Sequence, residues 1–484
     1  MSISRNLVLF AVAIALFALL QVFLQQSNTL LWSGAESAMA WVALNDGNNL
    51  RLPEYYYQWL WTATGGDVSA FRFPSTVLLF LGLAAFIFMS RALFGFRTAL
   101  LSSLVAVSTL SLPFFGKMAT LDSLLLGLHG AGWLTLLQCA KQPRPTLAFL
   151  FYGLLLIAGI IHPWATLVFF TLGTAVLWTD RHRYAGLKVL KPWWGLLLLP
   201  AIAWLTKGNT FHQPWLFFGS DYSLYLLFLF AGFLPFLGFV LAGFRDYLGK
   251  ISKGDEFSRI LMGWLGAALL CASPAAFWLL ALLVARQMDA FFKTGYPYRN
   301  WVKTGAILHL VFSFFAAMAI LIYGIYEFGA AGFRATVGAV GMYWSMSFLG
   351  IIGIFGARKQ LTIGAPMLAG SLSMLLAWLL AWPLLETGRK EKLAVLESMD
   401  SKSDTVYVSC TNYENFPNLP VYGKMKYPEK TWKVIEKPLP TDLPGVFYLF
   451  ANKNTENIPP ACRDTIRYGQ DYSLLLCQPV SESQ

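Results

Sequence analysis

Two carboxylates, Glu36 and Asp122, stand beside apolar stretches long enough to cross a bilayer, one in the loop after the first stretch and one where another begins. A carboxylate at a membrane rim can accept the proton of a hydroxyl whose owner keeps its tail in lipid and its head in water. Cations and aromatic rings accompany both acids. Between Leu50 and Trp61, Arg51, Glu54, Tyr55, Tyr56 and Tyr57 make a basic and aromatic strip suited to a phosphate head and a sugar ring. Lys117 precedes Asp122 in the short segment Phe114 to Leu125. A third loop, from Lys207 to Ser223, holds Lys207 and His212 beside Trp215, Phe217 and Phe218 and could cover such a site, although its spacing matches no metal motif.

The elements that must position these residues are membrane helices. The chain is 57% hydrophobic and 13% charged, a composition that excludes an ordinary soluble enzyme. Apolar segments near spanning length fall at 7–24, 74–93, 98–114, 122–139, 146–160, 163–179, 192–206, 223–243, 258–272, 275–286, 304–324, 335–356 and 362–383. That makes about 13 crossings. The pair around Ser273 and Pro274 is short enough to be either one kinked helix or a hairpin, and the choice sets the orientation of everything downstream.

Charge favours the hairpin. With the N-terminus cytoplasmic, about 19 Lys and Arg fall in inner segments and about five, Arg51, Arg72, Lys117, Lys207 and Arg334, in outer ones. The net charge of +11 is therefore mostly an orientation signal, and no clustered basic face suggests nucleic acid. The first span lacks a small-residue cleavage site, so an uncleaved anchor in the plasma membrane, the inner membrane of a bacterium, is expected.

The chain divides on composition into a membrane part, 1–385, whose first outer loop covers 25–73, and a polar outer segment, 386–484. Strands are expected at Val406–Cys410, Val446–Phe450 and Ser473–Cys477 and a helix at Lys390–Met399, giving a small extracytoplasmic α/β domain. Cys410, Cys462 and Cys477 would share one disulfide there, whereas Cys139 and Cys271 fall in spans. The segment Leu31–Leu44 is expected to form an interfacial helix with its tryptophans at headgroup level. The predicted fold class is an all-α polytopic membrane protein with a small C-terminal α/β soluble domain.

Several motifs resemble the membrane glycosyltransferases of the GT-C class, in particular the aminoarabinose transferase and protein O-mannosyltransferase group. That group carries an Asp-Glu pair after its first span, a Lys-Pro-Pro segment followed by Tyr-Tyr-Trp, a Phe-Gly-Arg loop before its third span, and a basic residue upstream of Ala-Thr-x-Asp. The counterparts here are Ala35-Glu36, Arg51-Leu52-Pro53 with Tyr55 to Tyr57, Phe94-Gly95-Phe96-Arg97, and Lys117 with Ala119-Thr120-Leu121-Asp122. The likeness in motifs covers roughly the first 170 residues and is topological afterwards. It implies transfer of a sugar from a polyprenyl-phosphate donor to a lipid, glycan or protein hydroxyl at the outer face of the membrane. Membrane lipid and a lipid or protein acceptor would be the partners, and a divalent metal is a possible cofactor.

Under that resemblance Glu36 is the candidate base, Lys117 and Arg51 hold phosphate, Asp122 orients the acceptor or a cation, and the tyrosines line the sugar. The chain departs from the pattern at Ala35, where the group has its first-loop aspartate, and at Leu50, where it has an acid. A non-catalytic relative that binds a lipid carrier or a partner membrane protein is thus the second reading. A transporter or flippase is the third, disfavoured because the ionisable residues keep to the rim and the chain shows no paired halves. Plainer roles stand beside each assignment. Ser33-x-x-Glu36 is also a capping box, Asp122 a possible N-cap, Lys117 and Arg51 possible headgroup anchors, and the tyrosines a possible aromatic belt.

Overall fold

The computed structural model describes residues 12, 15, 16, 20, 34–44, 52–179, 181–191, 216, 222–385, 396, 397, 399, 405–409, 418–435, 447–451, 464–468 and 473–477. Two compact units emerge. One contains Met1–Ser27, Arg51–Pro53 and Arg72–Trp382; the other contains Asn28–Leu50, Glu54–Phe71 and Pro383–Gln484. Most of the first outer loop thus shares a unit with the C-terminal segment.

The second unit opens with α1 (Gly34–Leu44) and α2 (Leu52–Ala63), and the chain then enters α3 (Val68–Phe94). In α2, Glu54, Tyr57 and Trp61 recur at helical spacing and are buried together. Tyr57 and Trp61 both pack on Phe71, with ring centroids 5.7 and 5.0 Å away.

In the helical unit α3 is followed by α4 (Phe96–Val107), α5 (Leu112–Lys117) and α6 (Asp122–Lys141). The expected span 98–114 is broken. Ser108 and Thr109 turn their hydroxyls back onto the carbonyls of Leu104 and Ala106, both at 2.7 Å. The intervening turn is held by the amide of Leu110 on the Gly232 carbonyl and by Ser111 on that of Phe228 at 2.8 Å. Such side-chain bonds compete with the helix ladder. Pro113 then restarts the chain as α5, which places Lys117 at its end.

Helices α7 (Pro145–Ile161), α8 (Pro163–Trp178), α9 (Gly186–Leu190), α10 (Tyr222–Phe233), α11 (Leu237–Ile251), α12 (Glu256–Leu270) and α13 (Ala276–Phe291) follow. Gly130 in α6 makes room for the Trp278 ring of α13, whose indole N–H donates to the Leu126 carbonyl at 3.2 Å; a Cβ at 130 would lie 2.8 Å from that ring. Close approach through a small residue is how helices pack without a hydrophobic driving force.

Around Ser273 the chain makes a hairpin. Ala272 takes φ 50°, and the guanidinium of Arg286 near the end of α13 stacks 3.8 Å from the ring of Phe257 at the start of α12. The two short helices therefore run antiparallel, as the charge pattern requires.

The next helical stretch, α14 (Arg299–Phe355), is two helices folded on each other at Gly329, whose φ 57° and ψ −138° suit glycine alone. His309 meets the Tyr343 hydroxyl at 2.8 Å across this hairpin. α15 (Lys359–Leu376) continues into a π-helical turn, Ala377–Ala381. Helix occurs at every expected span among the described residues, and five helices are long and apolar enough to cross a membrane, the folded-back α14 among them. Large apolar side chains lie exposed along α3, α7 and α14, including Phe88, Phe149 and Tyr326, as lipid contact demands. This is an integral membrane protein.

The C-terminal sheet has the order β2-β1-β3-β5-β4, with β1 (Thr405–Ser409), β2 (Thr431–Ile435), β3 (Phe447–Ala451), β4 (Asp464–Tyr468) and β5 (Ser473–Cys477). β1 pairs in parallel with β2 and β3, and β5 pairs antiparallel with β3 and β4. α16 (Asn418–Lys426) packs on α1, and Trp41 of α1 packs against the core of Leu396, Val406, Val408, Leu419, Trp432, Tyr448 and Leu474. Trp41 is thus seated against protein. Three expected strands are found, but β2, β4 and α16 go beyond the sequence reading. In β2 the buried Trp432 stands between the exposed Thr431 and Lys433. Cys477 is disulfide-bonded; Cys410 and Cys462, and most of the expected helix Lys390–Met399, lie outside the described residues.

Candidate functional site

At one end of the helical unit, three charged residues are taken almost wholly out of solvent. Arg72 and Lys117 are 0% exposed and Asp122 is 1% exposed. The local fold explains their proximity. Ser75 and Thr76, one turn into α3 from Arg72, donate to the carbonyls of Thr120 at 2.9 Å and Gly116 at 2.7 Å. Ser123 in the first turn of α6 donates to the carbonyl of Phe115 at 2.5 Å. Three hydroxyls thereby clamp the segment 115–120 between α3 and α6.

Lys117 projects onto the buried Trp378, with its ammonium 3.9 Å from the ring centroid. The π-helical turn presents that ring, and π-turns commonly mark functional positions. Phe114 and Trp382 complete an aromatic wall at 5.2 and 4.8 Å from Trp378. Burial, reinforced by the positive charge of Arg72, lowers the Lys117 pKa to about 6. An anion brought between these cations would raise it again.

Asp122 is the first residue of α6. The N-cap is Leu121, with no side-chain cap bond, so capping does not account for the buried carboxylate. The hydroxyl of Thr120 is fully buried and makes no hydrogen bond among the described residues. A buried polar group of this kind usually answers to a ligand or water.

The remaining sequence-derived candidates belong to the second unit or lie outside the described residues. Glu36, in the first turn of α1, is 0% exposed within the second unit. Glu54 and Tyr57 are buried and Tyr56 is half-buried, with its hydroxyl pKa raised by burial, while Tyr55 is 50% exposed. Tyr56 and Tyr57 meet edge to face at 5.3 Å between ring centroids. Arg51, Lys207 and His212 lie outside the described residues, as does Ser33 of the capping-box pattern. No group of three or more His, Cys, Asp and Glu among the described residues could hold a metal ion.

One buried histidine ties three segments together. His129 bonds Ser273 at 2.7 Å and Thr166 at 3.0 Å. Arg72 and Trp378 were not singled out by the sequence reading, and Thr120 entered it only as a position of the Ala-Thr-x-Asp pattern. Arg72 left a signal as one of the few cations assigned to the outer face.

No protein-family model and no curated protein sequence matches the chain. Two solved structures share its fold. ArnT from Cupriavidus metallidurans in the apo state superposes with a TM-score of 0.59 at 14% identity, covering 97% of this chain and 98% of that one. The same protein bound to undecaprenyl phosphate gives 0.59 at 12% identity, with 98% of each chain covered. The architecture expected from the GT-C resemblance is therefore the architecture found.

Proposed function

We propose that this protein is a GT-C glycosyltransferase that moves a sugar from a polyprenyl-phosphate carrier to a hydroxyl of a lipid, glycan or protein at the outer face of the membrane, in bacteria the inner membrane. The N-terminus would be cytoplasmic and the C-terminal α/β domain extracytoplasmic. The observation that carries the reading is the burial of Arg72 and Lys117 together beside Asp122 and the partnerless Thr120 hydroxyl. Buried cations beside a hydroxyl donor suit a phosphate, and a lipid-linked phosphate is the anion expected at a membrane rim. The undecaprenyl phosphate bound by the ArnT of like fold points the same way.

In the proposed reaction the acceptor oxygen forms a bond to the anomeric carbon as the bond from that carbon to the carrier phosphate oxygen breaks. The acceptor's proton passes to a carboxylate, for which Glu36 is the candidate, and Asp122 orients the acceptor or a cation. The carrier phosphate leaves with one more negative charge than it had as a diester. Lys117 and Arg72 counter that growing charge, with Thr120 as a further donor. Arg51, Lys207, His212 and the tyrosines 55 to 57 are proposed as contacts to the donor.

The test is transfer from polyprenyl-phosphate-linked sugars by the purified full chain in detergent. Transfer that falls about 10²- to 10⁴-fold in Glu36→Gln, the range for loss of a general base, supports the assignment. No transfer from any such donor, together with an unchanged cellular glycan in Glu36→Gln, sinks it. Ala35 motivates the second reading, a relative that binds the carrier without catalysis. Activity gained in Ala35→Asp would favour that decayed site over one rebuilt around Glu36.

A further inference from the structure

At the opposite end of α6 from Asp122 lies a cavity of about 220 Å³, lined by Ala92, Leu93, Gln138, Lys141, Gln142, Arg144 and Leu147. It sits where the last turn of α3, the last turn of α6 and the first turn of α7 meet. We propose that it binds the phosphate headgroup of an anionic phospholipid, independently of the sugar-transfer reading.

Two cations and two amides line one polar pocket, and no carboxylate is among its walls. The carboxylate that acts electrostatically on Lys141 is that of Glu256, which already accepts from the Tyr184 hydroxyl and from Arg183 at 3.2 Å. Glu256 is thus engaged elsewhere, and the pocket keeps its positive character. Its size suits a phosphate with a short glycerol arm and falls below the roughly 300 Å³ at which drug-sized sites begin.

Ala92, Leu93 and Leu147 form the apolar side, and the pocket gives onto helix faces already dressed for acyl chains. Phe88 on α3 is 78% exposed and Phe149 on α7 is 83% exposed, within a turn of the lining residues. A headgroup held by Lys141 and Arg144 would lay its tails along these rings. Basic pockets between membrane helices are a recognised form of lipid site. Cations that merely orient the chain require no cavity.

The experiment uses the full chain in vesicles with a phosphatidylglycerol probe that carries a diazirine in its acyl chain, the labelled peptides being read by mass spectrometry. Labelling should map to the α3 and α7 surfaces around Phe88 and Phe149. Unlabelled phosphatidylglycerol should displace it, whereas phosphatidylethanolamine or inorganic phosphate should not. K141Q combined with R144Q should cut it about 25-fold, taking about fivefold per cation. R358Q combined with K359Q, which removes the same charge outside the cavity, should leave it unchanged. L147W fills the cavity without touching charge and should also abolish labelling, which keeps the test decisive if the double variant fails to insert. Labelling that survives both K141Q/R144Q and L147W, or falls equally in R358Q/K359Q, overturns the proposal. Competition by inorganic phosphate would overturn the lipid source.

Discussion

The two ends of the helical unit treat charge in opposite ways. At one end Arg97 pairs with Asp289 at 2.6 Å, Arg183 with Glu256 at 3.2 Å and Lys250 with Asp246 at 2.8 Å, and in each pair the basic side chain is about half exposed or more. At the other end Arg72, Lys117 and Asp122 are buried. Exposed pairs contribute between zero and about 1 kcal/mol each and cost little to keep. Burying a charge costs several kcal/mol before its partners are counted. Asp246 at the first end is buried too, but it accepts from Lys250 and Gln287 at 2.8 Å each, whereas Arg72, Lys117 and Asp122 gather two cations and a carboxylate at the end where the chemistry is proposed.

The most forceful way to break this contrast is Lys117→Met. The change removes a buried ammonium while keeping about the length of the side chain, so a structural role would show as a lower apparent melting temperature. Turnover should fall about 10²- to 10³-fold, the cost of losing a donor to developing negative charge. Activity and thermal melting measured on the same preparation separate the two effects. A fall in melting temperature with activity intact would make Lys117 a structural residue.

Acidity sharpens the same contrast. With its pKa lowered to about 6 by burial and by Arg72, Lys117 loses its proton as pH rises through that value. A step that needs the protonated form should therefore be fully available below about 6, and kcat/KM for a diester donor should fall tenfold per unit above it. Lys117→Arg stays charged across this range, and a variant that retains activity should lose the alkaline limb. A limb that persists in Lys117→Arg belongs to another group.

How much of this could be read from residues alone depends on how local each cause is. The spacing of Lys117 and Asp122 was legible because both belong to one short connection, and the hairpin at Ser273 was legible because charge on the flanking loops demanded it. The break after Val107 was missed because Ser108 and Thr109 are as compatible with a membrane helix as with its end, until Ser111 and Leu110 find partners on α10. Arg72 and Trp378 were missed for a stronger reason. Each reaches Lys117 from another part of the chain, and neither the π-turn under Trp378 nor the hydroxyl clamp from α3 has a signature in spacing.

Trp378→Leu tests whether the π-turn belongs to the buried end's chemistry or only to its packing. The ring face favours the charged form of Lys117, a contribution of up to about 2 kcal/mol when desolvated. Its loss should lower the Lys117 pKa further and move the alkaline limb of kcat/KM to lower pH. A purely structural role would lower stability and leave the position of the limb unchanged. The pH profile, rather than activity at one pH, is therefore the measurement.

The smallest effect belongs to the exposed end. Arg183 is 67% exposed and Glu256 29% exposed, and the carboxylate keeps its bond from the Tyr184 hydroxyl when the guanidinium is removed. Arg183→Gln should change stability by less than about 1 kcal/mol and leave transfer unaltered. Raising salt should reproduce what little is lost in the wild type and have no further effect on the variant, because an exposed pair is screened over a Debye length of about 8 Å at physiological ionic strength. A loss of turnover comparable to that of Lys117→Met would erase the difference between the two ends, since an exposed, paired cation would then matter as much as a buried one.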